Sequence, residues 1–114
     1  MPAMTHEAHD RQIKYAIIDA AGLGDNTLVA AVAGKRIRVL SFFYVAGGTV
    51  VVRFESGAGG TALTGQMTHA VNDVVPAGFN EGGWFQTAVG ALLNLELSAA
   101  VTVDGCLTYV EVDE

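Results

Sequence analysis

The chain has 114 residues, the size of one domain, which excludes a multi-domain enzyme. Hydrophobic residues make up 51% and charged residues only 16%, with 14 glycines, a composition that excludes a disordered chain and calls for many turns. Twelve acidic against six basic residues leave a net charge of -6; that sign repels a phosphate backbone, so no nucleic-acid partner is expected.

Residues 1–12 hold several charges together with His6 and His9 but no apolar run. They read as a flexible N-terminal arm rather than a secretory signal, ahead of a single domain over residues 13–114. Glu7 and Asp10 could complete a metal site with the two histidines, yet no motif elsewhere supplies a paired ligand set, so neither metal nor cofactor is expected. Beyond the arm come short apolar runs rich in Val, Ile, Leu and Phe, punctuated by Gly, Asn and Asp, the signature of strands and turns. Ile13–Ile18 and Thr27–Val32 form two strands around the Gly22–Asn26 loop. Ile13, Ala16, Ile17 and Ala20 also fit a helical spacing over Glu7–Ala21, but the β-branched pattern favours a strand.

Lys35–Ala46 has apolar residues in both phases. Ile37, Val39, Phe43 and Val45 lie on one face and Leu40, Phe42 and Tyr44 on the other, which predicts a strand covered on both sides. Thr49–Ser56 alternates strictly, with Val50, Val52 and Phe54 inward. Gly47-Gly48 between them suits a tight hairpin, so the two are expected to pair antiparallel. Further strands are predicted at Gln66–Val71, Trp84–Ala88, Ala91–Ser98 and Val101–Val112, with a change of phase at Asp104-Gly105 that calls for a hairpin turn or a bulge. Eight or nine short strands predict an all-β fold, an antiparallel β-sandwich of about eight strands.

Catalytic motifs are not found. Gly57–Gly65 is glycine-rich but lacks the Lys-Ser/Thr of a phosphate-binding loop. His69 has Asp73 nearby but no nucleophile motif, and Cys106, the single cysteine, cannot form an internal disulfide and reads as a core or interface residue. Asp19, Asp25, Asp73, Glu81 and Asp104 are scattered as solvated turn residues without calcium-loop spacing. The chain is therefore not expected to be an enzyme. No membrane partner is expected either, because the most apolar stretch, Val39–Val52, is interrupted by Ser41, Gly47, Gly48 and Thr49. What remains are candidate contacts. Arg36 and Arg38 share one side of a strand and could pair with acids of a neighbour or partner. Phe42, Tyr44, Trp84 and Phe85 are aromatic rings that a lone small sandwich is expected to leave partly exposed and a subunit interface would cover.

The segments from Lys14 to Gly57, Leu63 to Val71, Gly82 to Ser98 and Val101 to Val112 resemble small tailed-phage virion proteins, in particular capsid decoration, or cement, proteins of the trimeric jelly-roll type. The likeness runs over roughly residues 13–112. It is closest at Gly34-Lys35-Arg36-Ile37-Arg38-Val39-Leu40, and Ala21-Gly22 stands where a small-Gly pair is usual. The resemblance implies a structural protein of the virion, assembled in the host cytoplasm. A homotrimer would bind the outer capsid surface and stabilise the head by bridging subunits of the major capsid protein, without catalytic residues. The alternative is a carbohydrate- or receptor-binding knob of a tail fibre or spike, using the aromatic loop around Trp84.

Overall fold

The computed structural model describes residues 12–113; the expected arm, with His6 and His9, lies outside them but for Gln12. Ten strands and no helix are found among the described residues. They are β1 (Lys14–Ala20), β2 (Gly24–Val29), β3 (Lys35–Ala46), β4 (Val50–Ser56), β5 (Thr61–Ala62), β6 (Met67–His69), β7 (Val74–Ala77), β8 (Phe85–Gln86), β9 (Leu93–Leu97) and β10 (Val103–Asp113).

Every pairing is antiparallel, and the strands divide into two sheets. The first has the order β1-β10-β3-β7, with β8 also on β3; the second has β2-β9-β4-β5, with β6 also on β4. β7 and β8 occupy successive stretches of the same edge of β3, and β5 and β6 do so on β4, so each couple acts as one interrupted strand. The chain then folds back on itself as one long hairpin. β1 pairs with β10, β2 with β9, β3 with β7 and β8, and β4 with β5 and β6. Rolling that hairpin brings β10 against β3 and β9 against β4, which is the winding of a jelly roll.

The sheets close over Ile18, Val39, Phe42, Tyr44, Val52, Phe54, Leu95 and Leu107, all buried. Phe54 lies 5.1 Å from Phe42 and 4.9 Å from Phe85, centroid to centroid and tilted, a geometry that adds about 0.5–1.5 kcal/mol per pair beyond the area buried.

Three features differ from the sequence expectation. First, β3 and β4 do not pair; they belong to different sheets. Both edges of β3 are already occupied, by β10 and by β7 and β8, so the chain arches over Gly47-Gly48 to the opposite layer. The glycines serve space rather than a hairpin turn: a Cβ on Gly47 would collide with Thr102 Oγ1, and one on Gly48 would lie 3.0 Å from Val101 Cγ1.

Second, β3 is not covered along both faces. Its register on β10 slips between Thr108 and Tyr109, leaving Leu40 as the extra residue of a bulge. Ile37 and Val39 face the core before the bulge, Phe42, Tyr44 and Ala46 after it, so the two apolar phases are used in succession. β10 needs neither turn nor bulge at Asp104-Gly105 and runs straight through. Gly105 is there because a Cβ would collide with the Phe43 carbonyl oxygen and lie 2.7 Å from Tyr44 Cα.

Third, β2 begins three residues earlier than its apolar run. Main-chain pairing from Gly24↔Leu97 to Val29↔Leu93 draws the expected loop residues into the sheet. Asn26 fixes that start, its side-chain amide donating to the carbonyls of Gly22 at 2.9 Å and Gly24 at 3.2 Å.

Candidate functional site

Because β3 changes phase at Leu40, the residues that leave the core beyond it are Phe43 and Val45. Cross-strand register places them in rows on the outer face of the first sheet. Ile17 of β1 is opposite Cys106 of β10, Cys106 opposite Phe43, and Phe43 opposite Pro76 of the edge strand β7. The next row toward one end holds Tyr15, Thr108 and Ser41, and toward the other Asp19, Asp104, Val45 and Val74. Tyr15 is 75% exposed, Ile17 67% and Phe43 49%, and Ile13, Val45 and Val74 are exposed too. Large apolar side chains of β1, β3 and β7 thus flank the smaller Cys106 and Thr108 of β10.

The residues singled out in the sequence fall elsewhere. Phe42 and Tyr44 are not available as subunit contacts: they are 8% and 0% exposed and lie inside the chain's own core. The bulge sends Phe42 inward and its neighbour Phe43 outward, which the sequence alone does not reveal because the slip is made against β10. Phe85 is half-buried against Phe42 and Phe54. Trp84 is 50% exposed, its Nε1 donating to the Gly78 carbonyl at 2.8 Å and its ring edge-on to Phe42 at 6.4 Å. Arg36 and Arg38 are partly buried, and both serve the docking of the segment around β8 on β3. Arg36 Nη1 donates to the Thr87 carbonyl at 3.2 Å and Arg38 Nε to Gln86 Oε1 at 2.9 Å.

The outer face of the second sheet is built in the opposite manner. Asp25, Glu96 and Arg53 form one cross-strand row, and Thr27, Asn94 and Glu55 the next. Glu55 and Asn94 are buried, yet satisfied. Asn94 Nδ2 donates to Asp25 Oδ1 and to Glu55 Oε1, both at 2.9 Å, while Asn94 Oδ1 accepts from the Asn26 amide at 2.8 Å. Arg53 Nη2 donates to Glu55 Oε2 at 2.6 Å and to Glu96 Oε1 at 2.9 Å. Burial pushes the Glu55 carboxyl up, but hydrogen bonds with Glu96, Arg53 and Asn94 outweigh it and hold it below its ordinary value. Glu96 is held above its own by the same bond to Glu55, together with desolvation and the neighbouring charge. A shallow depression of about 250 Å³, lined by Val51, Arg53, Gln66, Glu96, Leu97 and Ser98, opens beside the network. Sequence reading missed Glu55 and Asn94; their shared strand phase is visible only once the register of β4 on β9 is known.

His69 also finds an unforeseen partner. Its Nε2 lies 2.9 Å from the Tyr44 hydroxyl, and its Nδ1 lies 3.7 Å from Asp73 Oδ2. The order of groups is that of a proton relay, but Tyr44 is fully buried and burial pushes its hydroxyl up to about 12, so the arrangement ties β3 to β6 and offers no nucleophile to solvent. Among the described residues no cluster of His, Cys, Asp and Glu is arranged to hold a metal ion.

No family model matches the chain, and neither a curated protein nor a solved structure matches it.

Proposed function

We propose that the chain is a structural virion protein: a decoration protein that binds the outer surface of a phage capsid as a homotrimer and bridges subunits of the major capsid protein. The apolar outer face of the first sheet, with Tyr15, Ile17 and Phe43 exposed in a cross-strand patch, is the observation that carries this reading. A self-associating body leaves such a patch on each copy, whereas a monomeric domain has no use for it. The jelly-roll winding and the Gly34–Leu40 block, which leads into the β3 bulge, support the same reading. A decoration protein works by area and multiplicity: three linked copies turn modest single contacts into lasting attachment, and each bridge resists separation of neighbouring capsid subunits.

Purified protein mixed with undecorated phage heads at micromolar concentration is expected to sediment with them. Protein that stays in the supernatant at that concentration contradicts the reading. A second reading, a carbohydrate-binding knob, rests on the exposed rings of Phe79 and Trp84 in the β7–β8 loop. Binding on a glycan array that disappears with Trp84→Ala would select it.

A further inference from the structure

We infer that the outer face of the first sheet, centred on the row Ile17, Cys106, Phe43 and Pro76, is the surface through which copies of this chain bury one another. This rests on the oligomeric reading above and gives it a location.

Area is the first argument. Ile13, Tyr15, Ile17, Phe43, Val45 and Val74 together expose the equivalent of between three and four whole side chains. At about 200 Å² for a whole aromatic side chain and about 100 Å² for a whole Val or Ile, this is about 450 Å². The largest apolar patch of an ordinary monomer is about 300–600 Å², and each side of a stable interface buries about 800 Å². The apolar part alone is a full-sized patch, and with Ser41, Cys106, Pro76 and Thr108 of the same rows the face approaches one half of a specific contact.

Charge is the second. The chain carries a net charge of -6, and two acidic bodies repel unless they meet away from their acids. The row of Ile17, Cys106, Phe43 and Pro76 and that of Tyr15, Thr108 and Ser41 contain no charged residue; Asp19 and Asp104 stand together at one end. A second copy meets no like charge over those two rows, while Asp19 and Asp104, in the row of Val45 and Val74, fall at the rim of the face.

The chain's own N-terminal residues are poorly matched to the patch. Residues 1–11 contain Met1, Pro2, Ala3, Met4 and Ala8 as their apolar members, with no aromatic or branched aliphatic side chain. Neighbouring copies arranged around a threefold axis each bring large apolar side chains of this kind to the common seam.

The test uses the full chain in analytical ultracentrifugation, with the reactivity of the native Cys106 thiol as an independent reading. Phe43→Asp and Ile17→Asp are each expected to reduce the assembly to single copies while retaining a cooperative thermal transition. Leu23→Asp, in the β1–β2 connection and equally exposed, is expected to leave the assembly intact. Maleimide is expected to modify Cys106 about tenfold more slowly in the wild-type assembly than in wild type diluted to single copies, because the thiol, half-buried in one chain, is covered fully when copies meet. The inference is overturned if wild type sediments as a single chain or if both face variants keep the wild-type mass. Equal thiol reactivity in assembled and diluted wild type also overturns it. So does a variant lacking residues 1–11 that exposes Cys106 without any change of mass, since the arm would then be the cover. An intact assembly that fails to bind heads rejects the decoration reading and leaves this inference standing.

Discussion

The two outer faces of this sandwich solve the same problem in opposite ways. On the second sheet, outward-pointing side chains satisfy one another: Glu55 and Asn94 are buried without an unmet hydrogen bond because Arg53, Asp25, Glu96 and the Asn26 amide complete a closed network. On the first sheet Ser41 and Thr108 bond only to each other, at 2.6 Å, and around them Tyr15, Ile17, Phe43 and Val74 present hydrocarbon to solvent. Under the proposed assembly, the contrast separates a face finished within the chain from one finished by a neighbouring copy. Buried area stabilises both, but in the second case it appears as association rather than as stability of a single copy.

The sharpest way to break the contrast uses two neighbours. Phe42→Ala removes a core ring and is expected to cost about 3–5 kcal/mol of folding stability by chemical denaturation. Phe43→Ala is expected to change the stability of a single copy by no more than about 0.5 kcal/mol while weakening association. If the two cost the same, the bulge at Leu40 does not direct them to opposite sides.

Next in size is Gly105→Ala, where the added methyl meets the β3 backbone at the Phe43 carbonyl. About 2–3 kcal/mol of destabilisation is expected from this forced overpacking, whereas Gly65→Ala, with no atom near its Cβ position, is expected to be close to neutral. On the second sheet, Asn94→Leu takes from the buried Glu55 one of its donors and is expected to cost about 1–3 kcal/mol, without altering association.

The smallest effect lies in the pH dependence. The stability that ionised Glu55 contributes is fully present above the ordinary carboxylate range and is lost as the pH falls through its lowered value. Glu96 acts with the reverse sign: with its folded value raised, its contribution is present below the ordinary value and lost as the pH rises through the raised one. Wild-type stability is therefore expected to rise slightly as the pH is lowered from 7 toward the ordinary carboxylate range, then to fall below it. Glu96→Gln is expected to flatten the upper limb and spare the lower, a change under about 1 kcal/mol given how exposed this side chain is. Thermal melts across that range check it.

Much of the fold could be read from residues alone because period-two patterning carries it. Val50, Val52 and Phe54 face the core as their alternation requires, as do Leu93, Leu95 and Leu97. Features set by a partner strand could not be read in this way. The slip at Leu40 exists only against β10, and it alone decides that Phe43, not Phe42, reaches the surface. Separation of β3 and β4 into different sheets follows from the occupied edges of β3, which no local signal in Gly47-Gly48 announces. β7 escaped notice because Pro76 argues against a strand, and it is tolerated only because β7 is at an edge. The network around Glu55 depends on three strands arriving in register, so its members look like ordinary solvated charges in one dimension.

Sedimentation equilibrium of the unmodified chain over a range of concentrations bears most directly on the account. Three copies of the 11.9 kDa chain, with a mass of about 36 kDa, are expected. A species of 11.9 kDa at every concentration, its apolar face open to water, would contradict the account at its centre.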